Sequence, residues 1–134
     1  MKTDEILDLI DKIWDGLDRW GRFQLLGFLR MQAYGYLDRA FVFAGKYMWG
    51  ECYRNLVLAE YHAKLDTFVR LKYMRYAPPK EEVEKLRREL YALEYEINRV
   101  AVPARKWYGY IHPLDALLKD IREVVMPHYH GKEI

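Results

Sequence analysis

Arg19, Arg22 and Arg30 fall within about a quarter-turn of one another on an ideal helix of 3.6 residues per turn, and Ala33, Ala40 and Ala44 continue that face. An arginine's planar fork matches phosphate oxygens, and small residues let a backbone approach a surface closely. Arg39 and Lys46, seven apart, form a second basic row, and Arg54 follows eight residues later. Arg19, Arg22, Arg30, Arg39, Lys46 and Arg54 are therefore the candidate phosphate-binding residues. The chemistry they suit is a helix lying along a nucleic-acid backbone without reading bases. The competing reading of the same spacing is Ala-lined helix packing with solvated arginines.

Catalytic groups are scarce. The chain has no Ser, so a serine nucleophile is impossible, and Cys52 stands alone between Glu51 and Tyr53 with no base near it in sequence. His62 lies two residues after Glu60, and His128 and His130 sit near the C-terminus. There is no Glu-x-x-His, no His-x-x-x-His and no cysteine pair, so neither a metal site nor a cofactor is expected. Arg105 and His112 are separated by six residues, a spacing similar to that of helical HEPN ribonucleases. The residues between lack the polar side chain usual after that Arg, and Pro113 interrupts the helix the motif needs. A ribonuclease toxin of that type is one alternative, and a non-catalytic helical scaffold or regulatory protein, its basic face merely solvated, is another; the leading expectation is a protein that is not an enzyme.

The basic and aromatic residues are unevenly spread. Residues 17–76 run sixty positions without proline and hold fourteen of twenty-one aromatics and ten of twenty-two Lys/Arg. Only Asp18, Asp38, Glu51, Glu60 and Asp66 oppose those bases, so the segment is +5, against −3 for residues 1–16 and zero for 77–134. A basic, aromatic-laden helix lies along a polyanion or buries itself in a neighbour. Trp20, Phe23, Phe28, Tyr34, Tyr36, Phe41, Phe43, Tyr47, Trp49 and Tyr53 suit core or subunit contacts better than stacking on single-stranded bases.

At 134 residues the chain is one domain by length, large enough for a core. The uncharged runs 23–29 and 31–37 are seven residues each, far short of the roughly twenty a membrane span needs. The opening Met1-Lys2-Thr3-Asp4-Glu5 has no apolar run behind it, unlike a secretory signal. Few Asn, Gln and Cys beside many Glu, Lys, Arg and Tyr suit a hot habitat.

Helical periodicity must position these residues. Thr3 is the expected N-cap of a first helix, with Asp4 and Glu5 at its positive end and Ile6, Leu9, Ile10, Ile13, Trp14 and Leu17 as its apolar stripe. Asp15-Gly16 breaks it. Between 23 and 50, eighteen of twenty-eight residues are apolar on nearly every face. Such a helix must be buried all round, and since a domain this small buries one at most, subunit contacts cover the rest. Gly45 and Gly50 bracket the expected turn, and Val57, Tyr61, Leu65, Phe68 and Lys72 read as the next helix; the alternative is one continuous rod over 17–76. Pro78-Pro79 ends it. Val83, Leu86, Leu90, Leu93, Ile97 and Val100 alternate three and four apart, a heptad seam opened by Glu81, Glu82 and Glu84. Pro103 stops that helix, and Pro113 starts a last one with Leu114, Leu117, Leu118, Ile121, Val124 and Val125 on one face. The expectation is all-α, a bundle of four to five helices.

A small all-α chain with a long basic, apolar N-terminal half and a heat-adapted composition resembles the major coat proteins of filamentous double-stranded DNA viruses of hyperthermophilic archaea, the rudivirus, lipothrixvirus and tristromavirus type. In that family paired subunits wrap A-form DNA with N-terminal helices, and a C-terminal bundle forms the outer wall. The resemblance implies that residues 17–76 supply DNA-facing and assembly helices and 80–126 the outer bundle. It implies double-stranded DNA as partner, self-association or a paralogous coat subunit, and residence in the virion after assembly in the host cytoplasm. Residues 1–16 depart from it, being acidic where the family carries a basic arm.

Overall fold

The computed structural model describes residues 2–99, and within them every regular element is a helix, with no strand. Four helices follow in order: α1 (Thr3–Trp14), α2 (Arg19–Gly45), α3 (Trp49–Tyr73) and α4 (Lys80–Arg99). The all-α expectation holds. The helix expected after Pro113, together with Arg105, His112, His128 and His130, lies outside the described residues.

The helix expected to be buried all round is displaced by one element. On α2 only Leu26, Leu29, Ala33, Leu37 and Ala40 are buried, a single row three and four apart. It is α3 that sinks into the fold, with fourteen buried residues around its whole circumference. Those include Asn55, Asp66 and Thr67, polar residues that composition alone assigns to a surface. Each is partnered within reach of its own helix. Asn55 Nδ2 donates to the Glu51 carbonyl at 2.8 Å, Thr67 Oγ1 to the Ala63 carbonyl at 3.1 Å, and Arg70 Nε to Asp66 Oδ1 at 3.0 Å. A buried polar group costs little once its hydrogen bond is made. Helix α3 packs against α2 through the Ala33/Ala40 row on one side and against α4 on another.

On α4 the heptad reading is correct as far as the described residues run. Val83, Leu90, Leu93 and Ile97 are buried and Leu86 is half-buried. Lys64 of α3 pairs with Glu89 of α4 and, at 3.8 Å, with Glu60 of its own helix.

Helix α1 differs from its expectation. Lys2, not Thr3, occupies the N-cap position, and Thr3 is the first helical residue. Its hydroxyl is drawn inward to the Tyr61 hydroxyl at 2.8 Å, and its amide donates to Glu94. That anchoring rotates the helix so that Thr3, Leu7, Ile10 and Trp14 face the core. Of the expected stripe, Ile10 and Trp14 are buried, Ile6 and Leu17 half-buried, and Leu9 and Ile13 exposed. Trp14 stacks on Tyr73 with centroids 5.1 Å apart.

The turn between α2 and α3 falls between Gly45 and Gly50 as expected, but neither glycine makes it. Tyr47 does, at φ 58°. The Tyr47 amide donates to the Ala44 carbonyl at 3.0 Å and the Met48 amide to the Phe43 carbonyl at 2.9 Å. That pair of bonds is the Schellman arrangement, which satisfies carbonyls left over at a helix end.

Candidate nucleic-acid interface

Helix α2 carries four of the six candidate phosphate-binding residues within its span and a fifth, Lys46, as its C-cap. The fold treats them unequally. Arg22 bends back to the end of α1: its Nε and Nη2 donate to the Trp14 carbonyl at 3.2 and 3.1 Å, and its guanidinium lies 4.9 Å from the Trp14 ring centroid. A cation at a helix C-terminus is favoured by the dipole and by the orphan carbonyls there. Arg22 therefore clamps α1 to α2.

Arg30 turns towards α3, where its Nη2 lies 3.6 Å from Oδ2 of the solvent-inaccessible Asp66. Arg54, near the start of α3, is half-buried, and its Nε is enclosed with no hydrogen-bond partner among the described residues.

Arg19, Arg39 and Lys46 are exposed. Arg19 opens α2 just after Asp18, whose carboxylate caps the helix by accepting the Gly21 amide at 2.7 Å. Arg39 lies over the Tyr36 ring at 5.1 Å. Lys46 sits at the negative end of the α2 dipole, where a cation is favoured. At 100° per residue, Arg19 and Arg30 border one edge of α2's outer face, and Arg39 and Lys46 border the other.

Between those edges the outer face of α2 is mostly apolar, interrupted by Gln24 and Asp38. Trp20, Phe23, Phe28, Met31, Tyr34, Phe41 and Val42 are between 44% and 72% exposed. Monomeric soluble proteins rarely leave so large an apolar surface open on one helix. Gly27 and Gly35 lie on the same face, and a Cβ at either would meet nothing within 4 Å among the described residues.

Tyr61 and His62 are titratable groups drawn into the packing of the fold. The Tyr61 hydroxyl is pushed up to about 12 by burial, only partly offset by its bond to Thr3. His62 is held below its usual range by burial, against a smaller opposing effect of the Leu58 carbonyl 2.9 Å from its Nδ1. Its ring lies between those of Tyr36 and Tyr61, at 5.1 and 5.5 Å. Among the described residues no three His, Cys, Asp or Glu side chains gather as metal ligands would, and Cys52 is buried.

The sequence reading missed Asp66 as the inward partner of Arg30, although the Asp66/Arg70 spacing of four advertised half of that arrangement. It also missed Gly27 and Gly35, whose signal was their placement on an otherwise bulky face. No helix among the described residues is long and apolar enough to cross a membrane. Comparison with known protein families, with curated proteins and with solved structures finds no match to this chain.

Proposed function

We propose that this protein is a non-catalytic structural subunit that polymerises on double-stranded DNA, a viral coat protein of the kind it resembles, residing in the virion after assembly in the host cytoplasm. One observation carries the reading: the outer face of α2 is a largely apolar surface, broken by Gln24 and Asp38, with bases along both edges. An apolar centre serves subunit contacts, and basic edges serve a polyanion. The phosphate contacts fall to Arg19, Arg39 and Lys46, while Arg22 and Arg30 act within the subunit and keep α2 in place.

The reading has a quantitative test. Each phosphate neutralised adds about 0.9 to the slope of log affinity against log salt, so three contacts per subunit give a slope near −3, where six would give about −5. Duplex binding measured by fluorescence anisotropy across a salt series should show that slope without sequence preference. Arg39→Ala and Lys46→Ala should each reduce it by about one. If the assembled protein ignores duplex DNA, or binds it without salt sensitivity, the coat-protein reading is lost. A helical scaffold that recruits a protein partner then takes its place, a reading favoured by the inward commitment of Arg22 and Arg30.

A further inference from the structure

The outer face of α2 is close to a palindrome about Met31. Three residues away on either side stand Phe28 and Tyr34, four away Gly27 and Gly35, seven away Gln24 and Asp38, and eleven away Trp20 and Val42. At 100° per residue all of them lie within about 60° of Met31, on the side turned away from α3. We propose that this face binds the same face of a second copy of the chain, with the two α2 helices antiparallel about a two-fold axis at Met31. The pairing deepens the self-association in the assembly reading and needs no nucleic acid.

The geometry follows from helix parameters. With 1.5 Å of rise per residue, an antiparallel two-fold pair sets Tyr34 within one residue's rise of the partner's Gly27 and on the same side of the seam. Phe28 likewise meets the partner's Gly35. Each aromatic ring thus faces a position with no side chain, which is how large and small residues interdigitate at close-packed helix contacts. Glycine inside a helix costs about 1 kcal/mol relative to alanine, and among the described residues nothing occupies the space over Gly27 or Gly35. A partner ring in each notch gives both glycines a use. Gln24 falls opposite the partner's Asp38, an amide donor against a carboxylate. Trp20 falls opposite the partner's Val42, and Met31 meets its own copy.

Charge selects the direction. A parallel, in-register pair would set Asp38 against Asp38 and both aromatics against their own copies, leaving like charges side by side. The antiparallel pair removes that repulsion. The area is also sufficient. Seven large side chains averaging a little over half exposed, on a scale of about 150–250 Å² for a large ring, offer roughly 600–1,000 Å² per protomer. A standard interface buries about 800 Å² per partner. The two-fold also carries Arg39 and Lys46 of both protomers to one side of the pair, so that dimerisation doubles a single basic edge.

Cysteine cross-linking of the full chain, without nucleic acid, tests register and direction together, because Cys52 is buried and does not compete. Under mild oxidation Met31→Cys should give a disulfide-linked dimer. Gln24→Cys and Asp38→Cys should each cross-link poorly alone and efficiently when mixed. Gly27→Leu with Gly35→Leu should fill both notches and raise the dimer dissociation constant at least tenfold in sedimentation, with helix content by circular dichroism retained. A monomer at high concentration, cross-linking of Gln24→Cys with itself as efficient as the mixture, or a double-leucine variant that dimerises like the parent would each overturn the proposal. A dimer that cross-links as described yet ignores duplex DNA would leave the pairing intact and remove the DNA reading alone.

Discussion

Arg30 and Asp66 meet across the seam between α2 and α3, the guanidinium Nη2 3.6 Å from a carboxylate oxygen that solvent does not reach. Arg70 holds the other oxygen of the same carboxylate. Removing one partner of a fully buried pair costs about 3–5 kcal/mol, but Arg30 is itself 36% exposed, which weakens the attraction. Arg30→Met is therefore expected to cost about 1–3 kcal/mol in urea unfolding, where Arg39→Met, at an exposed site, stays within about 0.5 kcal/mol. Equal denaturation midpoints for the two variants would refute the structural role given to Arg30.

Tyr61 offers an alkaline signature. Its hydroxyl is pushed up to about 12 from the ordinary 10 by burial. The folded state therefore keeps the proton after the unfolded chain has released it, and stability complete below pH 10 declines between about 10 and 12. Tyr61→Phe should abolish that component of the decline. It should also cost about 1–3 kcal/mol at neutral pH by leaving the buried Thr3 hydroxyl without this partner. An unchanged alkaline profile in Tyr61→Phe would count against the burial of the Tyr61 hydroxyl.

His62 gives the opposite sign at the opposite end of the scale. Its folded value lies below the ordinary 6.5, so the unfolded chain takes up a proton first. The stability it contributes is present above about pH 6.5 and falls away as pH drops through the folded value. His62→Phe should flatten that acid limb, and the His62 ring resonances of the parent should titrate below those of a model peptide. A ring that titrates at or above 6.5 would show that the site is open to water.

Tyr47 occupies a left-handed conformation that a Cβ disfavours by about 1–2 kcal/mol. Its side chain is 80% exposed and recovers part of that cost in an edge contact with Trp49, ring centroids 6.3 Å apart. Tyr47→Gly is expected to raise stability by about 0.5–1 kcal/mol in thermal unfolding. A loss of stability would mean that the ring contact outweighs the backbone strain.

Helix limits were legible because they depend on local signals. Pro78-Pro79, the acids opening α4 and the break between Gly45 and Gly50 each act within a few residues. The division of labour between α2 and α3 was not legible. Counting apolar residues favours α2, whereas burial went to α3, because Asn55, Asp66 and Thr67 satisfy their polar atoms before going inside. Of the candidate site, Arg19, Arg39 and Lys46 emerged exposed. Arg22 and Arg30 share a face with Ala33 and Ala40, and that face is the one α3 covers. A basic residue among small ones is equally the signature of a helix contact and of a phosphate contact. Only the partner across the seam, here Trp14 or Asp66, distinguishes them.

Because only Lys46, Tyr47 and Met48 separate α2 from α3, the broadest seam of the fold joins residues close in sequence. Closing so short a loop forfeits little entropy, so contacts beside the turn form early and the seam zips away from Tyr47. The bond from Thr3 to Glu94 spans ninety-one positions and closes late. A nascent chain thus displays the outer row of α2 on a finished hairpin while α1 and α4 are still undocked. For the pairing proposed above, the order of folding, and not affinity alone, would determine which surface a second copy encounters first.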